Sequence, residues 1–138
     1  MLPPITEEVA ASSSAQRHYH PRELAYVGDA VFELHVRRRL LQKKLPQRER
    51  HRAAVARVRA SAQAAVLRIL EPLLNDTERA VTRRARNNKG PVPRTIAQST
   101  YRQATALEAL LGHLYLQGQT DRLAQLLGIV DSSCEEAQ

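Results

Sequence analysis

The stretch RELAYVGDAVFELHVRRRL, residues 22–40, decides the fold class of this chain. Its apolar side chains recur with the three-and-four spacing of an amphipathic helix: Leu24, Val27, Val31, Leu34 and, just beyond the stretch, Leu41. Gly28 and Asp29 interrupt the pattern, because glycine is the weakest helix former short of proline and the carboxylate stands alone. The stretch therefore predicts a core helix that carries one polar feature for which packing gives no reason.

The rest of the chain also favours helices. Apolar residues from 48 to 70 form a second helical stripe, which predicts one long helix. NDTE at 75–78 is typical of a capping box that opens a short basic helix ending near Arg86. TYRQ at 100–103 predicts a second capping box, and Gly118 predicts the end of the helix that follows it. No segment alternates long enough for a strand, so we expect an all-α fold of five to seven helices.

Length and composition indicate one domain. The 138 residues are enough to bury a core but too few for two domains. The irregular start and the short polar end predict an arm at 1–20, a domain at 21–131 and a tail at 132–138. The single cysteine, Cys134, allows no internal disulfide, and no apolar run approaches the roughly 20 residues of a membrane span. We therefore expect a soluble, cytoplasmic protein.

The chain carries a strong positive charge. Its 21 Lys and Arg against 14 Asp and Glu give a formal net charge of +7, with a pI of about 10.3. This surplus points to an anionic partner such as nucleic acid, although a solvated basic surface would give the same composition. The segment ERAVTRRARNNKGPVPRT, residues 78–95, concentrates the charge in Arg79, Arg83, Arg84, Arg86, Lys89 and Arg94. Such a patch binds phosphates without reading sequence, and the few aromatic residues favour a duplex over single strands.

Glu108 repeats the feature seen at Asp29. At 100° per residue, Asp29 lies on a second helix face, away from the apolar stripe and beside small residues. Glu108 interrupts the apolar segment TALEALLG, with Thr105 one turn before it and Gly112 one turn after it. Two such acids could meet at a hydrated Mg²⁺, since this cation binds a few carboxylate oxygens and keeps several waters. Solvated or arginine-paired acids are the alternative, and spacing alone leaves both interpretations open.

Two segments resemble the ribonuclease III family. LAYVGDAVFEL, residues 24–34, is similar to its signature helix, Leu-Glu-Phe-Leu-Gly-Asp-Ala/Ser. ATALEALLGHLYL, residues 104–116, is similar to its Glu-Ala-Leu-hydrophobic-Gly-x-hydrophobic-Tyr-Leu segment. VRASAQAAVL at 58–67 and TYRQAT at 100–105 bring the resemblance closer to Mini-ribonuclease III, a short bacterial branch. That branch has the catalytic domain and no double-stranded-RNA-binding domain, and the resemblance spans about residues 22–130.

The resemblance implies an all-α ribonuclease III fold and a homodimer with two sites across one RNA duplex. It implies that Asp29 and Glu108 are catalytic, metal-binding acids and that Mg²⁺ is the cofactor. Further acids of longer relatives fall here on Arg22, Ala25 and Thr105. Hydrolysis would leave a 5′-phosphate and a 3′-hydroxyl. The residues expected to contact double-stranded RNA are Arg83, Arg84, Arg86, Asn87, Asn88, Lys89 and Arg94.

The substrate that the resemblance implies is a precursor of 23S ribosomal RNA, and a ribosomal-protein helper is compatible with it. In such a dimer we expect Gly28 to admit the backbone of the partner subunit, and we keep Glu33 as a candidate supporting acid. Two other interpretations stay open. One is a helical RNA-binding or ribosome-assembly module that does not cleave, and the other is a structural helical dimer whose charge is solvated surface.

Overall fold

The computed structural model describes residues 18–88 and 90–136, so most of the expected arm, Lys89 and residues 137–138 lie outside the described residues. Within these residues the chain forms six α-helices, one 3-10 turn and no strand. The elements are α1 (Pro21–Leu41), α2 (Gln47–Val58), α3 (Ala60–Leu70), η1 (Glu71–Leu73), α4 (Asp76–Arg86), α5 (Gln98–Leu116) and α6 (Thr120–Glu136). The predicted all-α fold is confirmed.

Helix α5 is the central element of the core. It packs against α1, α3, α4 and α6. Its most deeply buried side chains include Leu107, Leu110, Leu111 and Leu114, each with no exposed surface. Burial of a leucine contributes roughly 1.5–3 kcal/mol relative to leaving it in water, so these leucines anchor the surrounding helices.

Helix α1 begins at a cap that holds its first turn. The backbone N–H of Arg22 donates to Nδ1 of His20 at 3.1 Å, and the N–H of His20 donates to the Glu23 carboxylate at 2.9 Å. These two bonds satisfy backbone donors that the helix leaves free, and Pro21 suits the first helical position.

The apolar stripe predicted for α1 is only partly confirmed. Leu24 and Val31 are buried, but Leu34 is 49% exposed and Leu41 is 62% exposed. The buried side of the second half of the helix is formed instead by Phe32, Val36 and Leu40. The core contacts α1 along a wider surface than one three-and-four stripe because both α2 and α5 pack against it.

The long helix predicted from 48 to 70 is wrong as a single element. Arg59 adopts an extended backbone, with φ −68° and ψ 157°, and separates α2 from α3. Helix α2 has no fully buried residue and lies along α1, whereas α3 buries Leu67 and Leu70 and packs against α5. The two halves thus pack against different helices. Residues 48–70 contain no glycine or proline, so the sequence does not indicate this break.

Of the three helix-end signals in the sequence, two are confirmed and one is wrong. Asn75 and Glu78 form the expected capping box at the start of α4. The second box is wrong, because α5 already begins at Gln98 and the N–H of Tyr101 donates to the Ala97 carbonyl at 3.0 Å. Gly118 has φ +70° after the end of α5, which confirms the predicted stop. Helix α6 continues to Glu136, beyond the expected start of the tail, and the division into arm, domain and tail stays a prediction.

Of the helices that the structure describes, none combines the length and the apolar run that a membrane span requires.

Candidate active site

The crossing of α1 and α5 brings two glycines into backbone contact. A Cβ atom on Gly28 would overlap the carbonyl oxygen of Glu108, and one on Gly112 would overlap the carbonyl oxygen of Leu24. Only residues without a side chain allow this approach. The helix that Gly28 admits therefore belongs to its own chain, which corrects the expectation that it admits a partner subunit.

This contact places Asp29 and Glu108 in one cavity. The cavity has a volume of about 660 Å³, and the two carboxyl groups share a hydrogen bond. Its other lining residues are Tyr19, Arg22, Glu23, Ala25, Tyr26, Val27, Tyr101, Thr105 and Leu116. The two acids named from the sequence are thus adjacent, and Arg22, Ala25 and Thr105 surround them.

The pKa of the Glu108 carboxyl is raised to about 8. Burial is the largest cause, followed by the hydrogen bond to Asp29 and the charge of Asp29, all of which disfavour a second negative charge. The side-chain amide of Gln63 acts in the opposite direction through a hydrogen bond to Glu108. Gln63 is only 3% exposed, so α3 reaches the site through a buried polar group.

Gln63 is a site residue that the sequence interpretation missed. Its only signal is a lone amide within the otherwise apolar stretch AQAAVL of α3. A buried amide needs a hydrogen-bond partner, and here the partner is Glu108. We assign Gln63 to the positioning of that carboxyl group.

The donor set fits a hydrated Mg²⁺. Asp29 and Glu108 supply carboxylate oxygens at an open cavity, where a hard cation can keep several water ligands. In the part of the chain that the structure describes, no group of three or more His, Cys, Asp or Glu residues could hold a metal. The site therefore fits a cation that is bound by few protein ligands rather than one enclosed by the protein.

Glu33 does not join this cavity. Its carboxylate accepts a hydrogen bond from Arg37 at 2.7 Å on the exposed side of α1. A pair at i and i+4 on a helix surface is an ordinary local interaction. The expectation of a supporting acid at Glu33 is therefore wrong.

The residues expected to contact RNA fall into different environments. Arg83, Arg84, Asn87 and Arg94 are exposed. Arg86 is paired, because its guanidinium donates to the Glu71 carboxylate at 3.0 Å. Asn88 lines a second cavity near the first.

Comparisons with known proteins show the family of this chain. Residues 22–119 match the family model described as the Ribonuclease III domain. A Mini-ribonuclease 3 of Gloeobacter violaceus is 51% identical over 111 residues, covering 78% of this chain and 79% of the relative. A Mini-ribonuclease 3 of a Synechococcus species is 44% identical over 113 residues, covering 82% of each. A crystal structure of a Fusobacterium nucleatum protein is 31% identical, with a TM-score of 0.78 and coverage of 85% of this chain and 95% of that chain.

Proposed function

Because this chain belongs to the ribonuclease III family and is an endoribonuclease, we propose that it cleaves double-stranded RNA in a Mg²⁺-dependent reaction. One observation carries the proposal: Asp29 and Glu108 face a single open cavity at the crossing of α1 and α5. Their shared hydrogen bond and the raised pKa of Glu108 describe two acids that favour a cation between them.

The side chains of the cavity have distinct roles in this reaction. Asp29 and Glu108 would hold Mg²⁺, which when bound activates water and stabilises the leaving oxygen of a phosphodiester. Gln63 holds the Glu108 carboxyl through its amide, so that this carboxyl keeps one orientation. Water adds to phosphorus and the 3′ oxygen leaves, which gives a 5′-phosphate and a 3′-hydroxyl.

We place the exposed basic residues Arg83, Arg84 and Arg94 on the phosphates of the duplex. These residues have the exposure that phosphate contact requires, and such contacts give affinity that falls with salt. We also propose that Asn87, Asn88 and Lys89 contact the RNA. Arg86 is a weaker member of the set, because contact with a phosphate competes with its ion pair to Glu71.

We propose further that the enzyme acts as a homodimer. Tyr26 is 83% exposed and lies on α1 beside the carboxylate cavity, and Leu34 is 49% exposed two turns further along. Exposed apolar side chains on one helix are typical of a surface that a second subunit covers. Two such sites on one duplex would each cut one strand.

The substrate we propose is the precursor of 23S ribosomal RNA, in the cytoplasm. The resemblance to Mini-ribonuclease III supports this substrate, and the net charge of +7 suits a highly anionic target. The ribosomal-protein helper stays a prediction.

A cleavage experiment tests the proposal. Purified protein is incubated with 23S precursor RNA, a perfect duplex and a single strand, each with and without Mg²⁺. The parent should cut the precursor and the duplex only with Mg²⁺, and Asp29→Asn and Glu108→Gln should lose at least about 100-fold in rate. Glu33→Gln is the matched control, because Glu33 is an acid on α1 that pairs with Arg37 outside the cavity. Intact RNA with the parent protein, despite salt-sensitive binding, would favour the non-cleaving RNA-binding module instead.

A further inference from the structure

A second, smaller cavity adjoins the carboxylate cavity. It has a volume of about 270 Å³ and lies between α1, α5 and the segment that follows α4. Its lining residues are Arg22, Ala85, Asn88, Gly90, Pro91, Val92, Tyr101, Arg102 and Thr105. Arg22, Tyr101 and Thr105 line both cavities, so a ligand in one lies next to a ligand in the other.

The charge of this second cavity is positive. Two guanidinium groups, of Arg22 and Arg102, line it, and none of the described lining residues is an acid. The Arg22 guanidinium packs against the following segment at Gly90, where a Cβ atom would lie 3.0 Å from its Nη2 atom. Two cations on one small cavity without a carboxylate favour an anion between them.

Arg102 adds an unused hydrogen-bond donor. Its Nε atom is buried and has no hydrogen-bond partner among the residues that the structure describes. A buried N–H without a partner is unfavourable, and the great majority of such groups in proteins are paired. Arg102 lines the cavity, so a small turn of its side chain would bring this N–H to an anionic oxygen bound there.

We propose that this cavity is a phosphate subsite, in which Arg22 and Arg102 bind a phosphodiester of the same RNA strand beside the one that is cleaved. The inference rests on the proposed function. A volume of about 270 Å³ lies below the roughly 300–1,000 Å³ of typical small-molecule sites, so it suits one phosphate group rather than a cofactor. Guanidinium groups bind phosphate oxygens through two parallel hydrogen bonds, which fixes orientation as well as position.

Holding a neighbouring phosphate aligns the strand. A phosphodiester fixed by Arg22 and Arg102 limits where the next one can lie, and the next one reaches the cavity of Asp29 and Glu108. Such binding acts on the ground state and the transition state alike, so it affects KM more than kcat. Arg22 and Arg102 are thus binding residues, not catalytic ones.

Cleavage kinetics and the salt dependence of binding test the subsite together. Arg102→Gln and Arg22→Gln should each raise KM for a duplex about tenfold and change kcat less than about threefold. In a Glu108→Gln background, each should lower the slope of log affinity against log salt by about 0.9 for every phosphate that the variant no longer neutralises. Arg102→Lys should retain the slope. Arg68→Gln, an exposed arginine of α3, is the matched control and should change neither quantity.

The outcomes separate this inference from the proposed function. If the parent cuts duplex RNA but Arg102→Gln and Arg22→Gln keep its KM and salt slope, the phosphate subsite is rejected and the proposed endoribonuclease function is retained. If the parent does not cut RNA at all, the proposed function fails first. Inorganic phosphate gives a third arm: if it raises the melting temperature of the parent but not of Arg102→Gln, while RNA affinity is equal in both, the cavity binds free anions and the proposal is overturned. Arg102→Lys and Arg22→Gln decide the matter if Arg102→Gln does not fold.

Discussion

The backbone of Gly28 lies against the carbonyl oxygen of Glu108, so the closest approach of α1 and α5 is also the site of both acids. Asp29 follows Gly28 directly, and Glu108 supplies the carbonyl that the glycine contacts. The approach of the two backbones that carry the acids is therefore set by helix packing, and the side-chain torsions then bring the carboxyl groups together.

Gly28→Ala should separate the two helices. The added methyl group has no room beside the Glu108 carbonyl, so we expect a loss of at least about 2 kcal/mol in the free energy of unfolding, measured in urea. Any folded fraction should also lose cleavage activity. Gly128→Ala is the control, since a Cβ atom there meets nothing within 4 Å, and it should be neutral or stabilise α6 by about 0.5–1 kcal/mol. Equal effects of both substitutions would contradict the close packing.

Glu108 should make the stability of the metal-free protein fall as pH rises. Its pKa is about 8 in the folded protein against 4.5 ordinarily, so the folded state holds this proton more tightly than the unfolded state does. The contribution of this proton to the free energy of unfolding is fully present below pH 4.5 and is lost as pH rises through about 8. We expect Glu108→Gln to melt at least about 3 °C above the parent near pH 9, measured by thermal unfolding in a chelator. The two proteins should converge towards acid pH, and a constant difference across the range would contradict this assignment.

The buried ion pair between Glu78 and Arg122 should have the opposite pH dependence to Glu108, with a contribution to stability that falls as the pH falls. Glu78 is 1% exposed and accepts from Arg122 at 2.9 and 2.8 Å, and this hydrogen bonding lowers its pKa from 4.5. Its stabilisation is present above pH 4.5 and is lost as pH falls through the lowered value. Glu78→Gln should cost about 3 kcal/mol near neutral pH, and less below pH 4.5.

The control for this pair is Glu33→Gln. Glu33 and Arg37 form an exposed ion pair at i and i+4, which contributes no more than about 0.5 kcal/mol. Chemical denaturation at neutral and acid pH compares both variants with the parent. If Glu33→Gln destabilises the protein as much as Glu78→Gln does, burial is not the reason for the strength of the Glu78 pair.

Tyr26→Glu should dissociate the proposed dimer. The side chain is 83% exposed in a single chain, so the substitution does not disturb the core, but it would bury a charge at the interface. Light scattering after gel filtration should show a monomer for the variant and a dimer for the parent. Val55→Glu, at a residue of α2 that is 51% exposed, should leave the dimer intact. A monomeric parent at working concentrations would remove the dimer from the mechanism.

Arg83 and Arg84 should contribute RNA affinity without contributing stability. Both are exposed on α4, so the double substitution Arg83→Gln with Arg84→Gln should change the free energy of unfolding by less than about 0.5 kcal/mol. In a Glu108→Gln background it should lower the salt slope of duplex binding by roughly 1.8, about 0.9 for each arginine. Arg86→Gln should behave differently and affect stability, because Arg86 pairs with Glu71. An unchanged slope in the double variant would remove α4 from the RNA interface.

The sequence by itself determined the helical class and the candidate acids. Helical periodicity and caps are local, and the capping box at Asn75 and the stop at Gly118 could be predicted because each depends on residues a few positions apart. Asp29 and Glu108 stood out because each lies on a helix face beside small residues, and the resemblance to ribonuclease III paired them.

Only the tertiary structure decided what each of these residues contacts. It showed that Gly28 meets Glu108 of its own chain, that Gln63 is a partner of Glu108, and that the helix breaks at Arg59. Apart from the lone amide that marks Gln63, none of these relationships has a local signal, because each arises where helices from distant parts of the chain pack together. A sequence pattern shows which face of a helix is polar, whereas burial and charge at a site depend on which other helices reach that face.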